Sequence, residues 1–246
     1  MLFTPGALLR NDRHYPPADW EAVVRAGKIN YKQFYQLYER RLLPLLIYAN
    51  KQAEQLKKQA LITIPGLGCG MFAGIFQGEL GAVLEQVLID LLKKYATYFP
   101  LIKAIYYDPY KECSNKRLDI NGVSLLVRPL LQGNQGKAQL SKPVLLEEEG
   151  DDFSNCMLFS VVAWDHVSWP GNDFYINSRA TDDGVKAAAT DSMWKMTGIK
   201  GLYNKKIYAY EPPSSYSNWD AVVAQHDLKI TLKGQVLVLP NKEMPL

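Results

Sequence analysis

Hydrophobic positions recur at three- and four-residue steps in two long segments, which is the pattern of helices that bury one face. The first segment, residues 30–59, carries an aromatic and aliphatic stripe that predicts a packing face. Pro44 lies within this segment and predicts a kink or a division into two helices. The second segment, residues 79–95, places leucine and valine along one side. Shorter helices are expected at residues 19–26, 185–196 and 217–225.

Short apolar runs that end at turn residues predict buried strands between these helices. The run at residues 61–65 leads into a glycine-rich loop, and the run at residues 102–107 stops at Asp108 and Pro109. Because the helix at residues 79–95 separates the two runs, the order predicts a βαβ crossover with parallel pairing. The sequence therefore predicts an α/β fold. Further strands are expected at residues 123–127, 157–163, 206–210 and 235–239.

Composition narrows the class of protein. Of the 246 residues, 48% are hydrophobic and 22% are charged, as in an ordinary globular domain. The net charge of +3 and the scattered basic residues give no basic stripe, so we expect no nucleic-acid partner. No apolar run is long enough to span a membrane, and the first residues lack a secretion signal, which predicts a cytoplasmic protein. The acidic run at residues 147–152 is interpreted as a solvated turn.

The three cysteines are Cys69, Cys113 and Cys156, and they form no CxxC pair. Their odd number fits a reducing compartment and argues against a disulfide framework. The same spacing argues against a zinc site, so we expect no metal and no cofactor.

The first candidate for chemistry is the glycine-rich loop at residues 64–74, IPGLGCGMFAG. Glycine permits positive φ, and successive amides in such a loop can hold an anion such as a diphosphate. A Walker A site is excluded because no Gly-Lys-Ser/Thr follows. A dinucleotide fingerprint fits loosely, since Asp108 lies 38 residues beyond Gly70, where roughly 20 are expected. A NAD-dependent oxidoreductase and a purely structural loop remain alternatives.

The second candidate is the acidic stretch at residues 164–191, which follows the predicted strand at residues 157–163. Aspartates at a helix start commonly cap free amides, and this alternative stays open for each one alone. However, Asp182 and Asp183 are adjacent, and Asp191 follows Asp183 by about two helical turns on roughly the same face. Crowded carboxylates are unfavourable unless a cation, a substrate or catalysis compensates for their repulsion.

Both stretches resemble the ADP-ribose loops of macrodomains. The segment IPGLGCGMFAG is similar to the second loop, in which a strand ends in a glycine-rich turn with an aromatic residue. The segment TDDGVKAAA, residues 181–189, is similar to the first loop and its helix start. The resemblance is closest to bacterial-effector, MavL-like macrodomain hydrolases that remove ADP-ribose from arginine on ubiquitin. Trp164, Asp165 and His166 stand where most macrodomains carry Asn-x-x-Asn, and the order of the two loops is inverted.

The resemblance implies a three-layer, mixed sheet flanked by helices, with residues 1–60 as an added N-terminal helical segment and residues 61–246 as the macrodomain-like domain. It implies binding of ADP-ribose or an ADP-ribosylated protein, such as ubiquitin, by a monomer in the cytoplasm, or in the host cytosol for a secreted effector. A non-catalytic ADP-ribose reader remains the alternative.

The resemblance also implies site residues. Asp183 would act on the ribose and the attacking water, Asp182 would support it, and Asp173 would contact the leaving group or the ribose. Phe72 would lie against the distal ribose. The remaining ligand-binding residues would be Gly68, Cys69, Gly70, Met71, Trp164, Asp165, Gly184, Val185 and Asp191.

Overall fold

The computed structural model of the chain describes residues 1–10, 17, 19–163, 194, 198–204, 206 and 209–227. They belong to two compact units, one that contains residues 1–164 and one that lies within residues 165–237. The described strands are β1 (Leu2–Thr4), β2 (Val24–Arg25), β3 (Lys28–Ile29), β4 (Gln59–Pro65), β5 (Ile102–Asp108), β6 (Lys116–Ile120), β7 (Val123–Val127), β8 (Cys156–Ala163), β9 (Leu202–Asn204) and β10 (Ala209–Glu211).

The first unit is built on a sheet in which six of the described strands follow the order β1-β8-β4-β5-β7-β6. Every neighbouring pair is parallel except β6 and β7, which are antiparallel. β2 and β3 form a separate short hairpin. The predicted α/β fold with a mixed sheet is therefore confirmed, including the parallel pairing of β4 with β5.

The described helices are α1 (Trp20–Val23), α2 (Tyr31–Gln55), α3 (Leu80–Tyr95) and α4 (Trp219–Gln225). Short 3-10 helices span Met71–Phe76, Ala96–Tyr98 and Pro143–Leu146. α2 begins where the Asn30 side chain accepts a hydrogen bond from the Gln33 amide at 3.1 Å. Of the two predicted effects of Pro44, a kink or a division, the division is wrong, because α2 is one helix of 25 residues with Pro44 inside it. Buried residues on both sides of Pro44, including Leu43 and Leu46, hold the helix together by tertiary packing.

The core lies on both faces of the sheet because side chains alternate along each strand. On one face, Ile62 and Ile64 of β4 and Ile105 of β5 pack in a large cluster with α2 and α3. On the other face, Leu61 and Tyr106 pack in a smaller cluster beneath Leu146 and Phe153. The sheet is thus enclosed on both sides, which is the layered arrangement that the sequence predicts.

Three sequence expectations differ from the structure. The first residues, for which the sequence predicts no strand, include the edge strand β1, which is too short to show a periodic pattern. β6 was not predicted because its sequence, KRLDI, is mostly charged, as edge strands often are. The second unit has β9 and β10 where one strand was expected at residues 206–210. The strand expected at residues 235–239 lies outside the described residues, as does the helix at residues 185–196 apart from Trp194.

The acidic run at residues 147–152 is a turn that is exposed at Glu149, Gly150 and Asp152, but two of its carboxylates are engaged by the protein. Arg128 forms two hydrogen bonds of 2.5 Å to the Glu148 carboxylate, and Arg117 pairs with Asp151 at 2.9 Å. Because Arg128 donates to it, the pKa of Glu148 is lowered. The run therefore fastens the loop before β8 to the strands β6 and β7.

The division into residues 1–60 and 61–246 stays a prediction. Among the described helices, we find none that combines the length and apolar character needed to cross a membrane.

The segment at residues 5–10, here called the N-terminal segment, passes along the loop that follows β4. The Ala7 amide donates to the Tyr38 hydroxyl at 3.0 Å, and that hydroxyl donates to the carbonyl oxygen of Leu67. The Leu8 amide donates to Asp19 at 2.8 Å, and Asp19 pairs with Arg41 of α2 at 2.9 Å. One helix thereby fixes both the N-terminal segment and the loop.

We predict that Tyr38→Phe lowers the free energy of unfolding by roughly 1–3 kcal/mol, because it leaves a buried amide and a buried carbonyl without partners. Urea denaturation measures the change. Tyr98→Phe is the matched control, since the Tyr98 side chain is exposed. Equal stability of the two variants would contradict the bridging role of the Tyr38 hydroxyl.

Candidate functional site

The glycine-rich loop begins at the carboxyl end of β4, beside the carboxyl end of β5. The Gly66 amide donates to the carbonyl oxygen of Asp108 at 2.8 Å, and the Cys69 amide donates to the carbonyl oxygen of Gly66 at 3.0 Å. Leu67 is fully buried and accepts the Tyr38 hydroxyl through its carbonyl. The first half of the loop is therefore held by the interior of the protein.

Two glycines of the loop are required by the N-terminal segment. Gly68 has a φ of +80°, and a Cβ there would lie 2.8 Å from the backbone nitrogen and oxygen of Ala7. Gly74 has a φ of +57°, and a Cβ there would lie 2.7 Å from the Cα of Arg10. Close approach of backbone to backbone thus accounts for these two glycines.

The side of the loop at Gly70 and Met71 is open. A Cβ on Gly70 would have no atom within 4 Å, and the Met71 side chain is 71% exposed. The described part of the chain supplies no hydrogen-bond acceptor for the amides of Gly70 and Met71. Next to them, Phe72 is half-buried, and its carbonyl accepts the Leu9 amide at 2.7 Å. The loop therefore presents two backbone donors from a fixed position.

The start of α3 also carries free amides in principle, but here an internal carboxylate binds them. Glu112, from the loop after β5, accepts from the amide of Gly81 at 2.5 Å and from that of Gly78 at 3.2 Å. This is the usual way in which a carboxylate stabilises a helix start. Glu112 therefore occupies part of the start of α3, whereas the amides of Gly70 and Met71 are left open by the described residues.

Asp108 is the acidic residue that would bind the ribose of a dinucleotide if the loop were a dinucleotide fingerprint. Its carboxylate already accepts hydrogen bonds from the protein. Its Oδ1 atom accepts hydrogen bonds of 2.8 Å from the amides of Tyr110 and Leu130. These contacts shape the turn after β5. The structure therefore gives Asp108 a role in the turn, which weakens the interpretation of the loop as a dinucleotide-binding fingerprint.

A row of polar side chains crosses the sheet near the carboxyl ends of its central strands. Thr63 of β4 is in register with Ser160 of β8 and with Tyr106 of β5, and all three are buried. The Thr63 hydroxyl donates to the carbonyl of Gln139 at 3.0 Å, whereas the hydroxyls of Tyr106 and Ser160 have no partner among the described residues. No local pattern predicts this row, because each of its residues lies alone within an apolar strand.

Burial holds the thiols of all three cysteines in the neutral form. Burial, followed by the charge of Glu112, raises the pKa of Cys69 above its usual range. Burial, followed by the charge of Glu85, raises the pKa of Cys113 to about 12. Burial also raises the pKa of Cys156. None of the three is prepared to act as a nucleophile at neutral pH.

The acidic half of the expected site lies outside the described residues. This holds for the catalytic candidates Asp173, Asp182 and Asp183, whose roles stay predictions. It holds equally for the ligand-binding candidates Trp164, Asp165, Gly184, Val185 and Asp191. Within the described part of the chain, no cluster of three or more histidine, cysteine, aspartate or glutamate side chains is arranged to hold a metal ion.

A mixed sheet flanked by helices, with a glycine-rich loop at the carboxyl end of a central strand, is consistent with the macrodomain class. A family model described as "Macrodomain effector MavL" matches residues 1–216, which is most of the chain. The protein belongs to this family of macrodomain effectors, as the resemblance of the two loops predicts. Membership indicates ADP-ribose as the class of ligand. No curated protein matches the sequence.

We predict that alanine lowers the free energy of unfolding much more at Gly68 than at Gly70. Gly68→Ala should lower the free energy of unfolding by roughly 2–4 kcal/mol, because it combines a positive φ with a clash against Ala7. Gly70→Ala, at a φ of −83° and with open space beside it, should cost less, about 1 kcal/mol. Thermal and urea denaturation of the two variants measure this. Similar losses in both would show that the N-terminal segment does not constrain the loop.

We also predict that the native protein reacts slowly with Ellman's reagent at pH 8. The raised pKa values leave few thiolates, so three equivalents of thiol should appear only after unfolding. A spectrophotometric titration before and after addition of guanidinium chloride tests this. Immediate release of one equivalent from the native protein would show a reactive thiol.

Proposed function

We propose that this macrodomain binds ADP-ribose through its diphosphate at the Gly70 and Met71 amides and hydrolyses the bond between ADP-ribose and a modified protein. The observation that carries the proposal is the pair of open amides at the carboxyl end of β4. In parallel α/β sheets, ligands bind in the crevice outside the carboxyl ends of the strands. The family match supports the choice of ligand.

The open amides suit a diphosphate in number and in chemistry. Hydrogen bonds to a charged acceptor contribute on the order of 1.5–3 kcal/mol each, so two of them contribute about 3–6 kcal/mol. Because the Tyr38 bridge fixes the loop beforehand, little conformational entropy is lost on binding. In this proposal Gly68 and Cys69 shape the loop, and Phe72 lies beside the distal ribose.

The hydrolysis would use the acidic stretch at residues 164–191. Water attacks the anomeric carbon of the distal ribose, the carbon–nitrogen bond to the modified arginine breaks, and the leaving guanidine gains a proton. The transition state resembles an oxocarbenium ion, which a nearby carboxylate stabilises. Asp183 would take the proton from water, Asp182 would support it, and Asp173 would contact the ribose or the leaving group. General-base assistance of this kind is worth about 10²–10⁴-fold.

The proposed substrate is ADP-ribosylated arginine on a protein such as ubiquitin. The ligand would also contact Trp164, Asp165, Gly184, Val185 and Asp191. We propose that the protein acts as a monomer in the cytoplasm, which for a secreted effector is that of the host.

The second candidate function is a reader that binds ADP-ribose without cleaving it. It is favoured by one observation, that the two carboxylates beside the glycine-rich loop are engaged. Asp108 and Glu112 both accept hydrogen bonds from backbone amides, so neither is prepared to activate water. A NAD-dependent oxidoreductase is disfavoured by the same engagement of Asp108.

The test combines isothermal titration with ADP-ribose and single-turnover release from arginine-ADP-ribosylated ubiquitin. We predict that Gly70→Ala weakens binding roughly 10-fold, because its methyl group enters the space that the diphosphate would occupy. Asp183→Ala should bind ADP-ribose within a few-fold of the wild type and lose about 10²–10⁴-fold in the rate of release. Gly136→Ala is the matched control, since a Cβ there also meets no atom within 4 Å.

The outcomes separate the two candidate functions. If the wild type binds ADP-ribose but does not release it from modified ubiquitin, the protein is a reader and not a hydrolase. If the wild type does not bind ADP-ribose, both candidate functions are wrong. If Gly70→Ala and Gly136→Ala bind ADP-ribose equally well, the proposed position of the diphosphate at the Gly70 amide is wrong.

A further inference from the structure

Two large apolar side chains are exposed directly after the first open amide of the glycine-rich loop. Met71 is 71% exposed and Ile75 is 72% exposed, whereas Ala73 and Phe76 of the same 3-10 helix are buried. Single exposed apolar residues are common on protein surfaces and need no explanation. Here both belong to one helix of six residues, and Met71 also carries an amide that is proposed to hold the diphosphate.

Met71 and Ile75, here called the apolar patch, are close enough to belong to one binding surface. Four residues separate them, and even a fully extended chain of that length spans at most about 14 Å. A specific interface covers about 800 Å² on each partner, so both side chains fit within one.

The backbone that carries Ile75 is held in place on both sides. Before it, a Cβ on Gly74 would lie 2.7 Å from the Cα of Arg10 in the N-terminal segment. After it, Phe76 is buried, and its ring centroid lies 5.8 Å from that of Trp20. A surface that is fixed before binding loses little conformational entropy when a partner docks.

We propose that the apolar patch docks the protein that carries the ADP-ribosyl group, a role that rests on the proposed function. Only the distal ribose and the arginine side chain separate a diphosphate at Met71 from the backbone of that carrier protein. The side chains around Met71 therefore meet the surface of the carrier when the substrate is bound.

The chemistry of the apolar patch indicates which surface of the carrier it fits. ADP-ribose consists of sugars, phosphates and a base, so it has no aliphatic group to bury against Ile75. The occupant is therefore an aliphatic area of the carrier beside the modified arginine. Methionine suits such a contact, because its flexible thioether adapts to irregular apolar surfaces.

The experiment measures the dissociation constants of free ADP-ribose and of arginine-ADP-ribosylated ubiquitin by isothermal titration. Every protein carries Asp183→Ala, so that the modified ubiquitin is not consumed during the measurement. This parent should bind modified ubiquitin roughly 10-fold or more tightly than ADP-ribose, because burial of apolar side chains adds to the binding of the nucleotide. Ile75→Ser should weaken the binding of modified ubiquitin roughly 10-fold and leave the affinity for ADP-ribose unchanged.

Two further variants are the controls. Ile75→Met keeps an apolar side chain and should bind both ligands as the parent does. Leu56→Ser removes an aliphatic side chain that is 48% exposed and precedes the amino end of β4, away from the glycine-rich loop. It should change neither affinity.

Three results would overturn the docking role and leave the proposed function intact. They are a parent that binds modified ubiquitin no more tightly than ADP-ribose, an Ile75→Ser variant that binds modified ubiquitin as the parent does, and equal weakening of both ligands by Ile75→Ser.

Analytical ultracentrifugation tests the other occupant, a second copy of this chain. A dimer that Ile75→Ser dissociates would show that the apolar patch binds its own copy, and it would overturn the docking of a carrier. If the wild type does not bind ADP-ribose, the proposed function is wrong, and the docking role is wrong with it.

Discussion

The hydroxyl of Tyr38 is the interaction on which the shape of the candidate site depends. It accepts the Ala7 amide and donates to the Leu67 carbonyl, so one side chain of α2 joins the N-terminal segment to the glycine-rich loop. Gly68 makes this possible, because a Cβ there would meet the backbone of Ala7 at 2.8 Å. The loop is therefore shaped from inside, and its open amides stand ready before any ligand arrives.

The carboxylates around the loop complete this arrangement. Glu112 occupies the amides at the start of α3, and Asp108 occupies those of the turn after β5. A carboxylate that is already bonded to amides does not compete for the amides of Gly70 and Met71. Anion binding is thereby directed to Gly70 and Met71, in a loop where the amides of Gly66, Leu67, Cys69 and Ala73 already have backbone acceptors.

Local patterns predict much of the fold and less of the site. Helical periodicity predicts α2 and α3, and the turn at Asp108 and Pro109 predicts where β5 ends. β1 was missed because its three residues pair with β8, more than 150 positions later, which no local pattern reveals. Gly68 was predicted to bind the ligand, and the structure shows that Gly68 and Gly74 also approach the backbones of Ala7 and Arg10. A contact between segments about sixty residues apart leaves the same local signature as a phosphate loop.

Some unfavourable local features of the first unit lie near the carboxyl ends of its central strands. The buried hydroxyls of Tyr106 and Ser160 lack partners there among the described residues, and Tyr110, in the turn after β5, has a left-handed backbone. Each feature costs stability on its own. Natural proteins tolerate such departures chiefly where function requires them. The polar row, the left-handed aromatic residue and the open amides therefore lie at the same edge of the sheet, although no sequence motif contains all three.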